Sequence, residues 1–466
     1  MIVDKSKPVK REHFSSRLGF ILISAGCAIG LGNVWKFPYE VGQYGGGAFL
    51  VLYLICVAIL GIPLMALEFS IGRASQASNA LAYDKLEKPG SKWHLFKWVS
   101  VAGQYILMSF YTCVCGWMLN YIVKSGTGIF DGASSEAISQ TYQTMVGNPY
   151  EVIFWMIAAV VIGMIICGFG VQKGIEKITK VMMVLLLVIM VGLAIFAICL
   201  PGAGAGLEFY LMPKFETIFS SPDVFCAALY QALSLAFFTL SVGMGSMVIF
   251  GSYIGHDHTL FGEALTISIM DVGVAIVCGL IIFPACFAYG INPGSGPSLV
   301  FETLPNVFAN MPFGMLFGTA FFIFLSFAAM STIIAVFENI VAFWMDLKGW
   351  SRGKSVAINL FVVIAVSIPA CLGFSVWSGI DFPLNNMNTI MDLEDFIISN
   401  NILPLGAIFI CTFCTAKKAW GWKKCLSEIN AGQGPKMSEK LLNWVMFFIP
   451  ILILFIFITG WFVAIK

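Results

Sequence analysis

Charge is what this chain has least of. Only 11% of its 466 residues are Asp, Glu, Lys or Arg, against about 25% in soluble globular proteins. With 59% hydrophobic residues beside that scarcity, a soluble protein of ordinary composition is excluded. The net charge of +1 leaves no basic surplus for nucleic acid. Histidine is nearly missing, at four residues. No nucleophile–base pair, metal motif or nucleotide-binding loop is present, which argues against an enzyme. The thirteen cysteines are scattered, several in apolar runs (Cys56, Cys167, Cys199, Cys278). They read as small buried hydrophobes, and no metal centre is expected from them. Residues 1–13 are polar and 14–41 look like a working helix, so no cleaved signal is expected.

What is there is a series of apolar runs. Crossing a bilayer takes roughly 20 apolar residues, and Val181 to Leu200 has that length without one charge. Eleven spans are expected, near 14–41, 46–72, 97–124, 150–170, 178–200, 223–253, 260–289, 313–346, 354–374, 392–415 and 441–464. The fold class is an all-α polytopic membrane protein. All lysines and arginines except Lys36, Lys124, Lys214 and Lys466 fall in the N-terminal segment or in the loops after spans two, four, eight and ten. That bias puts the chain in the cell membrane with the N-terminus cytoplasmic and the C-terminus external. Residues 1–13 are then a cytoplasmic segment and 416–440 a cytoplasmic loop; 201–222 and 290–312 are external loops, the second long enough to act as a lid.

Two spans carry helix breakers at mid-length. Gly26, Gly30 and Gly32 fall within seven residues of the first, and Thr-Leu-Ser-Val-Gly-Met-Gly occupies 239–245 of the sixth. Loosened backbone survives in hydrocarbon only where protein buries it or where it lines a cavity. A broken helix in each half of the chain points to the binding site of a secondary transporter.

Charges inside spans are costly and therefore informative: Lys36, Glu68, Asp271, Glu338 and Asp395. Glu68 is read as a structural hydrogen-bond partner for broken backbone. Oxygen donors for an alkali cation come in clusters. Carbonyls at Gly26, Ala28 and Ile29, side chains of Asn33 and Thr239, and the charge of Asp271 form one supply; Ala328, Ser331 and Thr332, one turn apart on one face of span eight, form another. Ser331 and Thr332 alone are weak, because mid-helix hydroxyls usually bond their own i−4 carbonyl. The half-helix after each break aims N–H groups at the cavity, which suits a carboxylate. Gly30 and Gly243 let substrate approach the backbone, Tyr111 offers a hydroxyl, Phe238 an apolar cap and Met244 an adaptable wall. A core role is the plain alternative for the last three.

The strings Arg11-Glu12-His13 through Arg17, Ala28-Ile29-Gly30-Leu31-Gly32-Asn33-Val34-Trp35, Phe37-Pro38-Tyr39 and Gly45-Gly46-Gly47-Ala48-Phe49 resemble the opening of the neurotransmitter:sodium symporter family. Gly61-Ile62-Pro63, Glu68, Phe237-Phe238-Thr239-Leu240-Ser241 and Gly251-Ser252-Tyr253 continue the likeness over nearly the whole chain, toward the bacterial amino-acid transporter branch. The resemblance implies an inverted five-helix repeat, spans 1–5 (14–200) and 6–10 (223–415), with broken first and sixth helices and an eleventh helix at 441–466. It implies sodium-driven uptake of an amino acid by alternating access, with two Na+ ions as co-transported ligands and no other cofactor. It assigns Ala28, Asn33, Thr239 and Asp271 to a first sodium site, and Gly26, Ile29, Ala328, Ser331 and Thr332 to a second. Substrate contacts are expected at Ala28, Gly30, Gly32, Tyr111, Phe238, Thr239, Ser241, Met244 and Thr332. Arg11 with Asp346 matches a cytoplasmic gate, Lys36 with Asp395 an outer gate, and Phe238 an aromatic gate.

Departures from the pattern sharpen the expectation. Lys36 stands where arginine is usual, so a looser point-charge contact with Asp395 is expected. Cys27 replaces an asparagine or another small residue. Gly30 stands where biogenic-amine transporters carry an aspartate, which favours a substrate bringing its own carboxylate. Asp271 replaces an asparagine, while Leu235 and Ala275 replace residues that hold chloride in animal members; Gln231, one turn earlier, is an alternative partner. Asp271 then supplies the negative charge, transport is chloride-independent, and a proton can take sodium's place on Asp271 during the return step. Met244 and its flanking glycines favour a hydrophobic or aromatic L-amino acid. A receptor or a channel on the same scaffold is the rival reading; buried, gated ligands argue against a conducting pore.

Overall fold

The computed structural model describes residues 14–291, 299–380, 382 and 387–465. Its described part is helical throughout apart from turns and one isolated bridge, His258 to Gln433. In chain order the principal helices are α1 (Arg17–Ala28), α2 (Gly32–Gln43), α3 (Gly47–Ser75), α4 (Asn79–Leu86), α5 (Trp93–Gly126), α6 (Ser135–Gly147), α7 (Pro149–Gly168), α8 (Val171–Ile198) and α9 (Ala203–Leu211). After these come α10 (Pro222–Thr239), α11 (Ser246–Gly251), α12 (Leu260–Ala288), α13 (Leu304–Asn310), α14 (Gly314–Lys348), α15 (Arg352–Leu372), α16 (Ile390–Thr415), α17 (Trp422–Ile429) and α18 (Glu439–Val463).

Ten of these are long and apolar enough to cross a membrane; α1 and α2, bent by 53° at their junction, together make an eleventh. The number agrees with the sequence expectation, and the boundaries shift by a few residues. Span five differs most: it begins at Val171 rather than 178, because a wide π turn at Val171–Glu176 continues into the helix. The loop expected at 201–222 contains α9, packed against α12. Of the expected lid, residues 292–298 lie outside the described residues. Residues 299–308 are mostly buried, with Phe301 stacked on Tyr142 and edge-on to Trp117 and Tyr121.

Local signals set the helix ends. Ser16 accepts from the Gly19 N–H at the start of α1, and Asn148 accepts from Tyr150 and Glu151 ahead of Pro149 in α7. Thr389 and Asp392 form a reciprocal capping box at α16. Gly349, at φ 65°, closes α14 in the left-handed conformation that costs glycine least.

Burial ranks the spans. α14 and α5 pack along each other at the centre, with 83% and 78% of their apolar windows buried, whereas α18 has 22% buried and lies outermost. Five is an odd number, so span six enters from the side opposite to span one. The chain is therefore two five-span halves of opposite direction, each opening with an interrupted helix, plus α18. α1 packs on α14 and α12, which brings the first break against the middle of both.

Candidate functional site

The site is built where the two helices stop. α1 ends at Ala28, and Ile29 turns to extended backbone (φ −69°, ψ 100°). The amide that would close the ladder onto Gly26 is that of Gly30, which donates instead to Asn33 Oδ1 at 3.2 Å. The next, Leu31, donates to the Tyr111 hydroxyl at 2.9 Å. The last carbonyls of α1 are thus left without helical partners. Gly26 itself is inside the helix; its carbonyl is freed because the helix ends just beyond it, so the unwound stretch is shorter than three spaced glycines implied. Glycine is required at position 30, where a Cβ would overlap the Tyr111 hydroxyl.

The freed carbonyls meet α14. Ser331 Oγ lies 2.9 Å from both Gly26 O and Ala328 O. Thr332 Oγ1 lies 3.2 Å from Gly26 O and 3.3 Å from both Cys27 O and Ile29 O. Some of this is ordinary back-bonding within α14, but three of the carbonyls belong to another helix. Two hydroxyl protons serve four carbonyls, with Ser241 Oγ adding one more at Cys27 O, 3.0 Å away. A cation of calcium's size, which sodium shares, takes oxygens at about 2.3–2.6 Å, so octahedral neighbours lie about 3.3–3.7 Å apart. Most of the spacings to Thr332 fit that frame. Four of the five residues expected in the second cation set meet through these contacts, and Ile29 joins them through its carbonyl.

The first set converges less completely. Asn33 Nδ2 donates to Asp271 Oδ1 at 2.8 Å and to Asp271 O at 3.0 Å, and Thr239 lies beside Asp271. The Thr239 hydroxyl is shared with Tyr53 at 3.0 Å. Asp271 is fully buried, and its Oδ2 has no hydrogen-bond partner among the described residues. No lysine or arginine pairs with it there. A buried carboxyl with one idle oxygen suits a cation. Gln231 does not join this group; it lines a separate, larger vestibule that Phe238 also lines.

The second break is closed by side chains from four elements. α10 stops at Thr239 and α11 begins at Ser246. Between them Gly243 (φ 104°) and Ser241 (φ 52°) are left-handed, the serine held by its bond to Cys27 O. Glu68 of α3 accepts from the amides of Gly243 (2.6 Å), Gly245 (3.3 Å) and Met247 (3.0 Å). Asn79 donates to Gly245 O (2.8 Å), Ser100 to Met244 O (2.6 Å) and Asn339 to Ser246 O (3.1 Å). Irregular backbone at membrane depth needs such partners.

Between the breaks is a cavity of about 20 Å3, room for about one water. Of the residues expected to contact substrate, Ala28, Gly30, Gly32, Tyr111, Phe238, Ser241, Met244 and Thr332 line it and Thr239 does not. Cys27, Leu107, Ile398 and Leu403 complete the wall. Leu107, four residues before Tyr111 on one helical face, was findable from spacing. Ile398 and Leu403 were not, because a π turn at Ile397–Ile402 resets the face that α16 presents.

The vestibule above it has a volume of about 660 Å3 and is lined by Trp35, Tyr39, Glu40, Trp117 and Asp392 among others. Phe238 lines both spaces and forms the partition. Lys36 Nζ sits 4.0 Å from the Phe238 ring centroid and 2.7 Å from each carboxylate oxygen of Asp395. The expected loose contact is instead close. A compact ammonium fits between both oxygens, and the ring face beneath it adds attraction. At the other end Asp346 accepts from the Ser78 amide at 2.8 Å; Arg11 lies outside the described residues. Glu338 is paired with Arg352 (2.7 Å) and Tyr253 (2.7 Å).

Sequence reasoning missed Glu394 on α16, whose buried Oε2 has no partner among the described residues. It also passed over Cys411-Thr412-Phe413-Cys414, which has C-x-x-C spacing; both thiols are buried mid-helix and belong to no group of metal-ligating side chains among the described residues. Among the described residues one trio of possible metal ligands forms, Asp84, Glu87 and His94, and its atoms are engaged by Lys97, Ser91 and one another.

The comparisons with known proteins agree with this construction. The sequence profile of the sodium:neurotransmitter symporter family matches residues 11–143 and 134–465. The sodium-dependent transporter YhdH of Bacillus subtilis, itself uncharacterized, is 34% identical over 459 residues, covering 98% of both chains. An uncharacterized sodium-dependent transporter of Haemophilus influenzae is 33% identical over 463 residues, covering 97% of this chain and 99% of its own. The crystal structure of MhsT in complex with L-phenylalanine superposes with a TM-score of 0.86 at 36% identity, over 97% of this chain and 100% of that one. With interrupted helices at both expected places and matches spanning its whole length, the chain belongs to the sodium:neurotransmitter symporter family, multi-pass membrane transporters rather than enzymes.

Proposed function

We propose that the protein takes up a hydrophobic or aromatic L-amino acid, driven by two Na+ ions, by alternating access and without chloride. The observation that carries the reading is the cage of carbonyl and hydroxyl oxygens where α1 stops against α14, with the uncompensated Asp271 beside the same break. One Na+ is held by Gly26, Ile29, Ala328, Ser331 and Thr332. The other is held by Ala28, Asn33, Thr239 and Asp271, together with the carboxylate of the substrate. The Thr239 hydroxyl leaves Tyr53 to do so.

The substrate carboxylate takes the Tyr111 hydroxyl and the amides at Leu31 and Gly32. That exchanges the present Tyr111–Leu31 bond for two directed at the ligand. The side chain lies between Leu107, Met244, Ile398 and Leu403, an apolar wall that binds through burial. MhsT, 36% identical, is described with L-phenylalanine, which supports an aromatic substrate here. A cavity of about 20 Å3 admits one only if its side chains withdraw, and unbranched Met244 is the most adaptable of them.

Two monovalent cations and a zwitterion leave excess positive charge in a dry site. Asp271 balances one of them, so no chloride is needed. When sodium leaves, a proton takes its place on Asp271 and is carried back. The N-terminus is cytoplasmic, the vestibule faces outward, and Phe238 with Lys36 and Asp395 forms the outer gate. Arg11 with Asp346 forms the inner one.

The test is uptake by the purified protein in liposomes. Accumulation driven by an inward Na+ gradient, unchanged when gluconate replaces chloride, supports the reading. Strict chloride dependence, or binding with no accumulation, overturns it.

A further inference from the structure

α16 ends at Thr415 after 26 residues. At 1.5 Å per residue that is about 39 Å, longer than the ~30 Å of hydrocarbon. At least one end of the span therefore reaches past the hydrocarbon, and the four lysines beyond Thr415 favour headgroup depth for that end. The segment there is a tight turn leading into α17, with Lys417, Lys418, Lys423 and Lys424 exposed, and Trp420 and Trp422 buried between them.

None of the four ammonium groups has a carboxylate within ion-pair distance among the described residues. The nearby acids are taken: Glu87 by His94 (2.6 Å), and Glu428 by Arg73 (2.6 Å) and His256 (3.1 Å). Lys88 donates to the carbonyl of Lys417, which brings a fifth ammonium to the same patch. Five ammonium groups on one turn and its neighbour favour an anionic surface facing them.

We propose that this turn is a docking surface for anionic phospholipid headgroups. The tryptophans fix its shape, so little side-chain order is lost on contact. The patch lies in the plane of the bilayer surface, where headgroup phosphates are the anions at hand. A lysine beside such a surface gains about fivefold in affinity.

Contact there is transmitted inward. α17 is tied to α3 by Cys425 Sγ to Ser70 Oγ (3.4 Å) and by Glu428 to Arg73. The buried Arg73 guanidinium also donates to His258 O (2.9 Å) and Gly255 O (3.3 Å), on the segment after α11. The Thr259 hydroxyl donates to Pro435 O at 2.7 Å. Headgroups bound at the turn thereby steady the end of the second broken span.

The experiment compares melting of the full chain in nanodiscs of phosphatidylcholine alone and with one quarter phosphatidylglycerol. Native mass spectrometry counts the phosphatidylglycerol molecules retained. Neither readout depends on transport, so a failed transport assay leaves this test standing. Wild type melts higher in the anionic discs and retains phosphatidylglycerol over phosphatidylcholine. The combined Lys417→Gln, Lys418→Gln, Lys423→Gln, Lys424→Gln variant loses most of both effects, each adjacent Gln pair loses about half, and four Lys→Arg changes keep them. The proposal is overturned if the Gln variants keep the full phosphatidylglycerol response. It is equally overturned if inorganic phosphate added to phosphatidylcholine discs reproduces it, since the turn would then be a site for a free anion.

Discussion

Replacing Glu68 by alanine tests how the second break is held. Three amides, those of Gly243, Gly245 and Met247, donate to its carboxyl group at 2.6, 3.3 and 3.0 Å, and the side chain is fully buried. A buried donor left unpaired costs about 1–3 kcal/mol, so three cost about 3–9 kcal/mol. Hydrogen bonds within membrane helices average nearer 0.6 kcal/mol, which still sums to about 2 kcal/mol. That lower bound shifts the folded-to-unfolded ratio about thirtyfold against a total stability of about 5–15 kcal/mol. Glu68→Gln retains one acceptor oxygen and presents an NH2 where the other stood, so it strands at least one donor and falls between. The assay is melting of purified protein in detergent, with Na+-dependent substrate binding measured alongside. The account expects alanine to melt well below glutamine, and glutamine below wild type, with weakened binding in the same order. Alanine melting within a degree of wild type, with unchanged binding, would show that Glu68 does not hold the break.

Other expectations concern the ion and substrate contacts. Ser331→Ala combined with Thr332→Ala removes two of the five oxygens proposed for the second Na+ and should raise the sodium needed for half-maximal binding about tenfold or more; unchanged sodium dependence would mean the second site is elsewhere. Asp271→Asn keeps the bond to Asn33 but not the charge, so sodium-coupled uptake should fall at least tenfold and any proton counter-transport, read with an internal pH dye, should vanish. Gly30→Ala drives a methyl into the Tyr111 hydroxyl and should abolish substrate binding while leaving a folded, monodisperse protein. Lys36→Ala removes the cation from above Phe238 and from Asp395, so a cysteine placed at the vestibule floor should label faster; slower labelling would count against a closed gate there.

Much of the fold was legible because the bilayer simplifies the code. Length and apolarity alone mark the spans, and the glycines at 26–32 and 243–245 mark the breaks, whereas Pro284 and Pro369 sit inside helices that continue through them. The meeting of Ser331 and Thr332 with carbonyls three hundred residues earlier was legible only through family resemblance; spacing alone favoured back-bonding within α14. What stayed hidden depends on turns of the helix that composition does not encode. The π turn at Ile397–Ile402 rotates Ile398 and Leu403 toward the cavity. Thr239 was expected at the ligand, yet its hydroxyl faces Tyr53, a pairing across nearly two hundred residues that no local pattern announces. Glu394 went unread because Asp395 beside it already had a partner in Lys36, and nothing in the sequence shows that a Glu394 oxygen is left buried and unpaired among the described residues.

The central claim is that the oxygens and the acid gathered at the two breaks bind sodium together with an amino acid. The direct measurement is equilibrium binding of radiolabelled L-phenylalanine and L-leucine to the purified protein in sodium chloride, sodium gluconate and potassium chloride at equal ionic strength. The account predicts saturable binding of at least one of them, equal in both sodium salts and lost in potassium. Binding that persists in potassium, or that requires chloride, would contradict it.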